Sequence, residues 1–243
     1  TPDVVQVLQG EQGVFSGVRP GSVVIDMSTI QPAAARVLAE AARARGAWML
    51  DAPVSGGEIG AIDGTLTVMV GGEGHVLEHV RPVLAAMGHP ERITHIGPAG
   101  AGQVAKACNQ VVLGATIAGV AEAFALARKN GIDPAGVRKA LLGGFAQSRV
   151  LEVHGERMLK KNYVPGFRTE LFAKDYRIVV DAMERSGVSA PVTAVVQQIL
   201  NAAMSAGRAK DDYSSMATVT FDASRVEPPV AAGQPATTRS SPS

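Results

Sequence analysis

Residues 97–130 read GPAGAGQVAKACNQVVLGATIAGVAEAFALARKN, and the rest of the chain is ordered around them. Gly97, Gly100 and Gly102 open the stretch with a turn that permits left-handed backbone and close approach. No proline follows before Gly131, so the spacing predicts one long helix over 102–130, about 40 Å in length. Val111 to Val120 is apolar or small on every side, which predicts a segment buried all round. One turn is polar: Gln103, Lys106, Asn109 and Gln110 share a face at spacings of three and four. A lysine buried in such a helix costs free energy unless something offsets it. Two readings of Lys106 stand at this point. It is a proton donor to a substrate oxygen, its pKa lowered by burial and its ammonium fixed by Asn109 or Gln110. Or it snorkels to solvent from the helix start.

Composition bounds the alternatives. The chain has 243 residues, 46% hydrophobic and 19% charged, enough for one large or two small globular domains. A net charge of +1 gives no reason to expect nucleic acid or an anionic membrane surface as a partner. Cys108 is the only cysteine, which excludes an internal disulfide and a thiolate metal cage, and its helix makes a small core residue the expected role. Val111–Val120 is too short to span a bilayer, and the first residues show no basic region followed by an apolar core. A cytoplasmic chain without a membrane partner is the expectation.

From the start, Thr1-Pro2-Asp3 reads as a helix cap leading into a short helix through Leu8. Val23–Met27 has the length and apolarity of a strand, and Pro32 begins a helix to about Arg45 that Gly46 stops. Trp48–Val54 reads as a second strand, completing a strand–helix–strand unit with a parallel pair. Ligands collect beyond the carboxyl ends of such strands. Ser28-Thr29 and Ser55-Gly56-Gly57 lie there, the second offering backbone N–H groups to a carboxylate or phosphate, or making a plain turn. Asp63-Gly64 then turns the chain into the alternating Thr65–Val70, expected as a hairpin-like edge strand, and Ile93–Ile96 as a short last strand.

His75-Val76-Leu77-Glu78-His79 matches a zinc-peptidase pattern, H-x-x-E-H. Val76, Leu77, Val80, Val83, Leu84 and Met87 instead make a core stripe that leaves both histidines facing solvent, and no metal is assigned. Beyond Gly131 the pattern is helical throughout. Helices are expected from Asp133-Pro134 to Gly143-Gly144, from Ser148 to Lys161, from Glu170 to Arg185, from Pro191 to Ala206, and briefly after Asp212.

Four blocks then take on a joint meaning: DAPVSGGEIGAIDGTLTVMVGG at Asp51–Gly72, GxGxxxKxxN at Gly100–Asn109, GGFAQSRVLEVHGERM at Gly143–Met158 and PGFRTELFAKD at Pro165–Asp175. With them, the chain from Thr1 to about Phe221 resembles the β-hydroxyacid dehydrogenase family. The resemblance implies an α/β partial Rossmann-type domain followed by an all-α C-terminal domain joined by one long helix. Its boundaries are 1–98 for the C-terminal part of a dinucleotide-binding domain, 99–222 for a helical substrate and dimerisation domain, and 223–243 for a disordered tail.

The resemblance also implies roles. Lys106 is the catalytic acid/base; Ser55, Gly56, Gly57, Asn109 and Gln110 bind substrate; Thr29, Lys174 and Asp175 lie at the cofactor, NAD or NADP. The implied reaction is reduction of tartronate semialdehyde, a short oxo acid, to D-glycerate by an oxidoreductase that self-associates through its helical domain. The alternatives are oxidation of 3-hydroxyisobutyrate, with Phe145 and Gln147 bearing on the choice, and a catalytically silent dimerisation module. The family opens on a strand and a GxGxxG turn, absent before Val23 here. The expectation is therefore a piece lacking that half, with an apolar sheet edge and impaired activity.

Overall fold

The computed structural model describes residues 1–226, and all but the first four residues of the tail expected over 223–243 lie outside the described residues. Those residues fall into two units, Thr1–Val112 with Leu171–Gln197, and Leu113–Glu170 with the chain from Gln198. This division by packing falls inside the long helix, whose start is the expected 98/99 boundary, because a continuous helix lends its first turns to one packing unit and its remainder to the other.

The first unit is built on a mixed sheet. Helices α1 (Pro2–Gln9) and α2 (Val14–Gly17) precede β1 (Val23–Asp26), α3 (Pro32–Arg43) and β2 (Trp48–Asp51). β1 and β2 are parallel, with Val23 opposite Trp48 and Asp26 opposite Asp51. Ala52-Pro53 interrupts the second strand, which resumes as β3 (Val54–Ser55) before helix α4 (Gly57–Ile62). A proline has no N–H to give a ladder, so the interruption follows from sequence. β4 (Leu66–Gly71) runs antiparallel to β2 and β3 and parallel to β5 (Gly88–Gly97), with α5 (Gly74–Ala85) between them. β4 is thus flanked on both sides rather than an edge. β5 is longer than Ile93–Ile96 and is paired with β4 through shifts in register.

Strand alternation sorts the core. Leu50, Ala52, Val68 and Val70 pack with Val76, Leu77, Val80 and Leu84 of α5. Met49, on the opposite face, packs with Ala35, Leu38 and Ala42 of α3 and with Leu8 and Phe15. Val83 and Met87, expected in the α5 stripe, are exposed, as are His75 and His79. His75 meets Trp48 edge-on, and among the described residues no cluster of three or more His, Cys, Asp or Glu side chains could hold a metal.

Helix α6 (Ala101–Lys129) is followed by α7 (Pro134–Leu141), α8 (Arg149–Leu159), α9 (Thr169–Ser186), α10 (Pro191–Ser205), a short 3-10 turn (Tyr213–Met216) and α11 (Ala217–Ala223). Asp133 and Ser148 cap α7 and α8 through their side chains, as the sequence suggested. Residues 223–226 end α11 and turn after it. α6 is not buried all round: Val104, Cys108, Val112 and Leu126 are exposed, so Cys108 is a surface thiol rather than a core residue. By length and composition alone α6 could cross a bilayer, contrary to what Val111–Val120 suggested, but half of its most apolar window is buried within the protein.

In the second unit Asp212 is the organising polar residue. It is 1% exposed, and its carboxylate accepts hydrogen bonds from Gly166 N, Phe167 N, Ser214 N and Ser214 Oγ, with Arg157 Nη1 3.5 Å away. Burial, more than the charge of Arg157, holds the neighbouring His154 below the usual imidazole range, with Asp212 opposing.

Candidate functional site

The first unit gathers most of the expected residues at one end of its sheet, where α6 begins. The cause is Asp51, the last residue of β2, which sequence reading did not single out. It is 2% exposed; Oδ1 accepts from Gly100 N at 2.7 Å and Oδ2 from Gln103 N at 2.9 Å. An anion at a helix N-terminus is favoured by the helix dipole and satisfies N–H groups that lack intrahelical partners. Burial nevertheless raises its pKa, the Gly100 and Gln103 hydrogen bonds opposing. The close approach needs small residues: a Cβ on Gly102 would lie 2.4 Å from Met69 O and 2.6 Å from Asp51 O.

With the helix start so fixed, Gln103 reaches the loop after β1. It is 1% exposed; Oε1 accepts from Ile30 N at 3.0 Å, and Nε2 donates to Ser28 O at 2.8 Å. Thr29 lies between those two contacts, and its carbonyl accepts from Lys174 Nζ of α9 at 3.1 Å. One turn beyond Gln103, Lys106 is 8% exposed and donates to Val54 O at 2.8 Å. The ammonium is therefore held by the strand carbonyl preceding Ser55, not by Asn109 or Gln110, and it does not snorkel. Burial, the larger cause, and the charge of Lys174 lower its pKa, and Asp175 opposes them.

Ser55 Oγ donates to Asn109 Oδ1 at 3.4 Å. Asn109 Nδ2 donates to Gln110 Oε1 at 2.9 Å, and Gln110 Nε2 donates to Asp175 Oδ2 at 2.6 Å. Asp175 is 2% exposed, with Lys174 Nζ 2.8 Å from its Oδ1. Asp175, expected beside Lys174 at the cofactor, is buried, with Oδ2 accepting from Gln110 and Oδ1 paired with Lys174. Gly56 and Gly57 adopt positive-φ backbone and are exposed beside Ser55. Phe145 and Gln147 lie in the connection between α7 and α8, both exposed.

An open cavity of about 630 Å³ adjoins this site, lined by residues that include Gln31, Lys174, Arg177 and Ile178. Thr1, Val5 and Gln6 also line it, it shares Lys174 with the site, and the cations Lys174 and Arg177 suit the phosphates of a dinucleotide. The residues present therefore fit a nicotinamide dinucleotide.

The chain is similar to known proteins over most of its length. A model described as the NAD binding domain of 6-phosphogluconate dehydrogenase matches residues 1–97, and one described as NAD-binding of NADP-dependent 3-hydroxyisobutyrate dehydrogenase matches residues 100–220. The chain is 42% identical over 216 residues to 2-hydroxy-3-oxopropionate reductase of Escherichia coli, covering 89% of this chain and 73% of that protein. It is 38% identical to an NAD-dependent L-serine dehydrogenase of Pseudomonas aeruginosa, covering 84% of this chain and 70% of that one. A crystal structure of 3-hydroxyisobutyrate dehydrogenase from Salmonella typhimurium superposes with a TM-score of 0.79 at 32% identity, covering 90% of this chain and 75% of that one.

Proposed function

The chain belongs to the β-hydroxyacid dehydrogenase family, whose cofactor is NAD or NADP, and from that premise we propose that it interconverts a short 3-oxo acid and its 3-hydroxy acid, tartronate semialdehyde and D-glycerate in the first place. The observation that carries the reading is Lys106: an ammonium 8% exposed, 2.8 Å from Val54 O and next to the Ser55 loop.

A nicotinamide dinucleotide, when bound, would supply the hydride for the carbonyl carbon. Thr29, in the loop held by Gln103 and Lys174, would hold the cofactor's nicotinamide end, and Lys174 with Arg177 would bind the rest of it. Ser55 and the backbone amides of Gly56 and Gly57 hold the substrate carboxylate, and Asn109 its hydroxyl. Lys106 Nζ gives its proton to the aldehyde oxygen as that oxygen becomes a hydroxyl, and takes it back in the oxidative direction. A lysine with a lowered pKa gives up a proton more readily than a solvated one, which suits acid work near neutral pH. Sequence kinship to an Escherichia coli 2-hydroxy-3-oxopropionate reductase supports this substrate over 3-hydroxyisobutyrate. Self-association through the helical unit is part of the same proposal, supported by the exposed apolar Leu126, Ile132 and Phe145.

The test is a fluorescence titration of the chain with NADH and NADPH, followed by turnover with tartronate semialdehyde for the wild type and Lys106→Met. Cofactor binding by both proteins with turnover only in the wild type is the expected result. Equal turnover in both sinks the assignment.

A further inference from the structure

The polar line from Lys174 to Ser55 has a direction, and the direction is forced. A carboxylate has only acceptor oxygens, whereas a primary amide has one acceptor end and one donor end. Lys174 Nζ stands 2.8 Å from Asp175 Oδ1, so the other oxygen, Oδ2, receives the amide nitrogen of Gln110 at 2.6 Å. Gln110 is 3% exposed and must then turn its carbonyl toward its neighbour, where Asn109 Nδ2 donates to it at 2.9 Å. Asn109 in turn has its carbonyl oxygen left for the Ser55 side, 3.4 Å from Ser55 Oγ. One buried acid sets the orientation of two successive amides.

We propose that Asp175, acting through Gln110, is a positioning residue that makes Asn109 present an acceptor to the substrate, so that the site selects short 3-oxo and 3-hydroxy acids bearing a hydroxyl on the carbon next to the carboxylate over those bearing a methyl there. The inference rests on Asn109 lining the substrate site, as set out above, and names what that site reads. Asn109 Oδ1 accepts from Ser55 Oγ at a long 3.4 Å, which leaves one lone pair for a substrate hydroxyl; a methyl group there gives that lone pair no donor, and acceptor capacity desolvated without use is penalised. A net hydrogen bond of ordinary strength corresponds to roughly a three- to tenfold preference.

Asp175→Asn is the informative change because it is isosteric and reverses the line. Lys174 requires the amide oxygen at its own side, so the new NH2 faces Gln110. Gln110 must turn its carbonyl to it, and Asn109 must turn its NH2 toward Ser55. Calorimetric binding of D-glycerate and of 3-hydroxyisobutyrate is compared in wild type, Asp175→Asn and Gln110→Leu, each holding the same oxidised dinucleotide. Side-chain amide NMR signals of Asn109 are followed in parallel without any ligand.

The wild type is expected to bind D-glycerate roughly three- to tenfold tighter. In Asp175→Asn that ratio falls to about one or inverts, and the Asn109 side-chain amide signals move. In Gln110→Leu, where nothing orients Asn109, the ratio falls as well. A wild-type preference that persists unchanged in both variants overturns this inference and leaves the Lys106 reading standing. Failure of the wild type to bind either acid overturns both. Should Asp175→Asn fail to fold, Gln110→Leu decides alone, since it leaves the Lys174–Asp175 pair in place, and an unchanged ratio there refutes the proposal.

Discussion

Asp51 Oδ2 accepts the N–H of Gln103 at 2.9 Å, and that single bond ties the end of a central strand to the first turn of the helix that carries Lys106. Because Gly100 N binds the other oxygen, the carboxylate fixes both the height and the rotation of the helix start. Asp51→Ala is expected to destabilise the protein by about 2 kcal/mol, as loss of the buried acceptor of two N–H groups does. Urea unfolding at pH 7 checks it. The pKa of Asp51 is raised, so the folded state holds its proton to higher pH than the unfolded state. The stability this contributes is full below 3.8 and lost as pH rises through the folded value. The Asp51→Asn variant, which cannot ionise there, should lack that component of the acid-side pH dependence.

Lys106 has the opposite sign. Its folded pKa is lowered, so unfolding is accompanied by proton uptake, and the penalty for burying the ammonium is greatest at low pH and relieved as pH climbs toward 10.5. Lys106→Met should therefore raise the melting temperature near neutrality, with the gain shrinking by pH 10. The same change should lower kcat about 10²–10⁴-fold while cofactor affinity stays nearly constant, and the wild-type reduction rate should fall through an alkaline limb below the value of a free lysine. A melting temperature lowered at pH 7 would show that the Val54 contact outweighs desolvation.

Gly102→Ala tests the close approach of α6 to the sheet. The added Cβ would meet two backbone carbonyls at 2.4 and 2.6 Å, neither of which can rotate away. The helix start must shift, at about 1–3 kcal/mol, the range for overpacking a filled core. The Lys106–Val54 contact should lengthen with it, visible as loss of turnover in a protein that still folds.

In the helical unit, Asp212→Ala removes the acceptor of four hydrogen bonds and leaves Arg157 without its buried partner. A loss of about 3–5 kcal/mol is expected from breaking such a site, enough to unfold the unit or lower its denaturation midpoint sharply. Unchanged urea unfolding would contradict the role given to Asp212.

The chain by itself determined the parallel pair of β1 and β2, the long helix, the later helices with their Asp133 and Ser148 caps, and Lys106 as the conspicuous charge in an apolar run. Those features are periodic or local, so nearest neighbours in sequence suffice to specify them. The tertiary structure decided what they touch. Burial of Cys108 could not be judged from a helix that is apolar on all sides, since which stripe faces solvent depends on what packs against it. Thr65–Val70 alternates like an edge strand, yet β5 pairs along its free side. Asp175 stood out only as the neighbour of Lys174, and packing shows that its Oδ2 accepts from Gln110. Hydrogen-bond partners 52 or 65 residues apart, such as Asp51 with Gln103 or Gln110 with Asp175, leave no periodic mark in the chain, because folding sets their distance and sequence spacing does not.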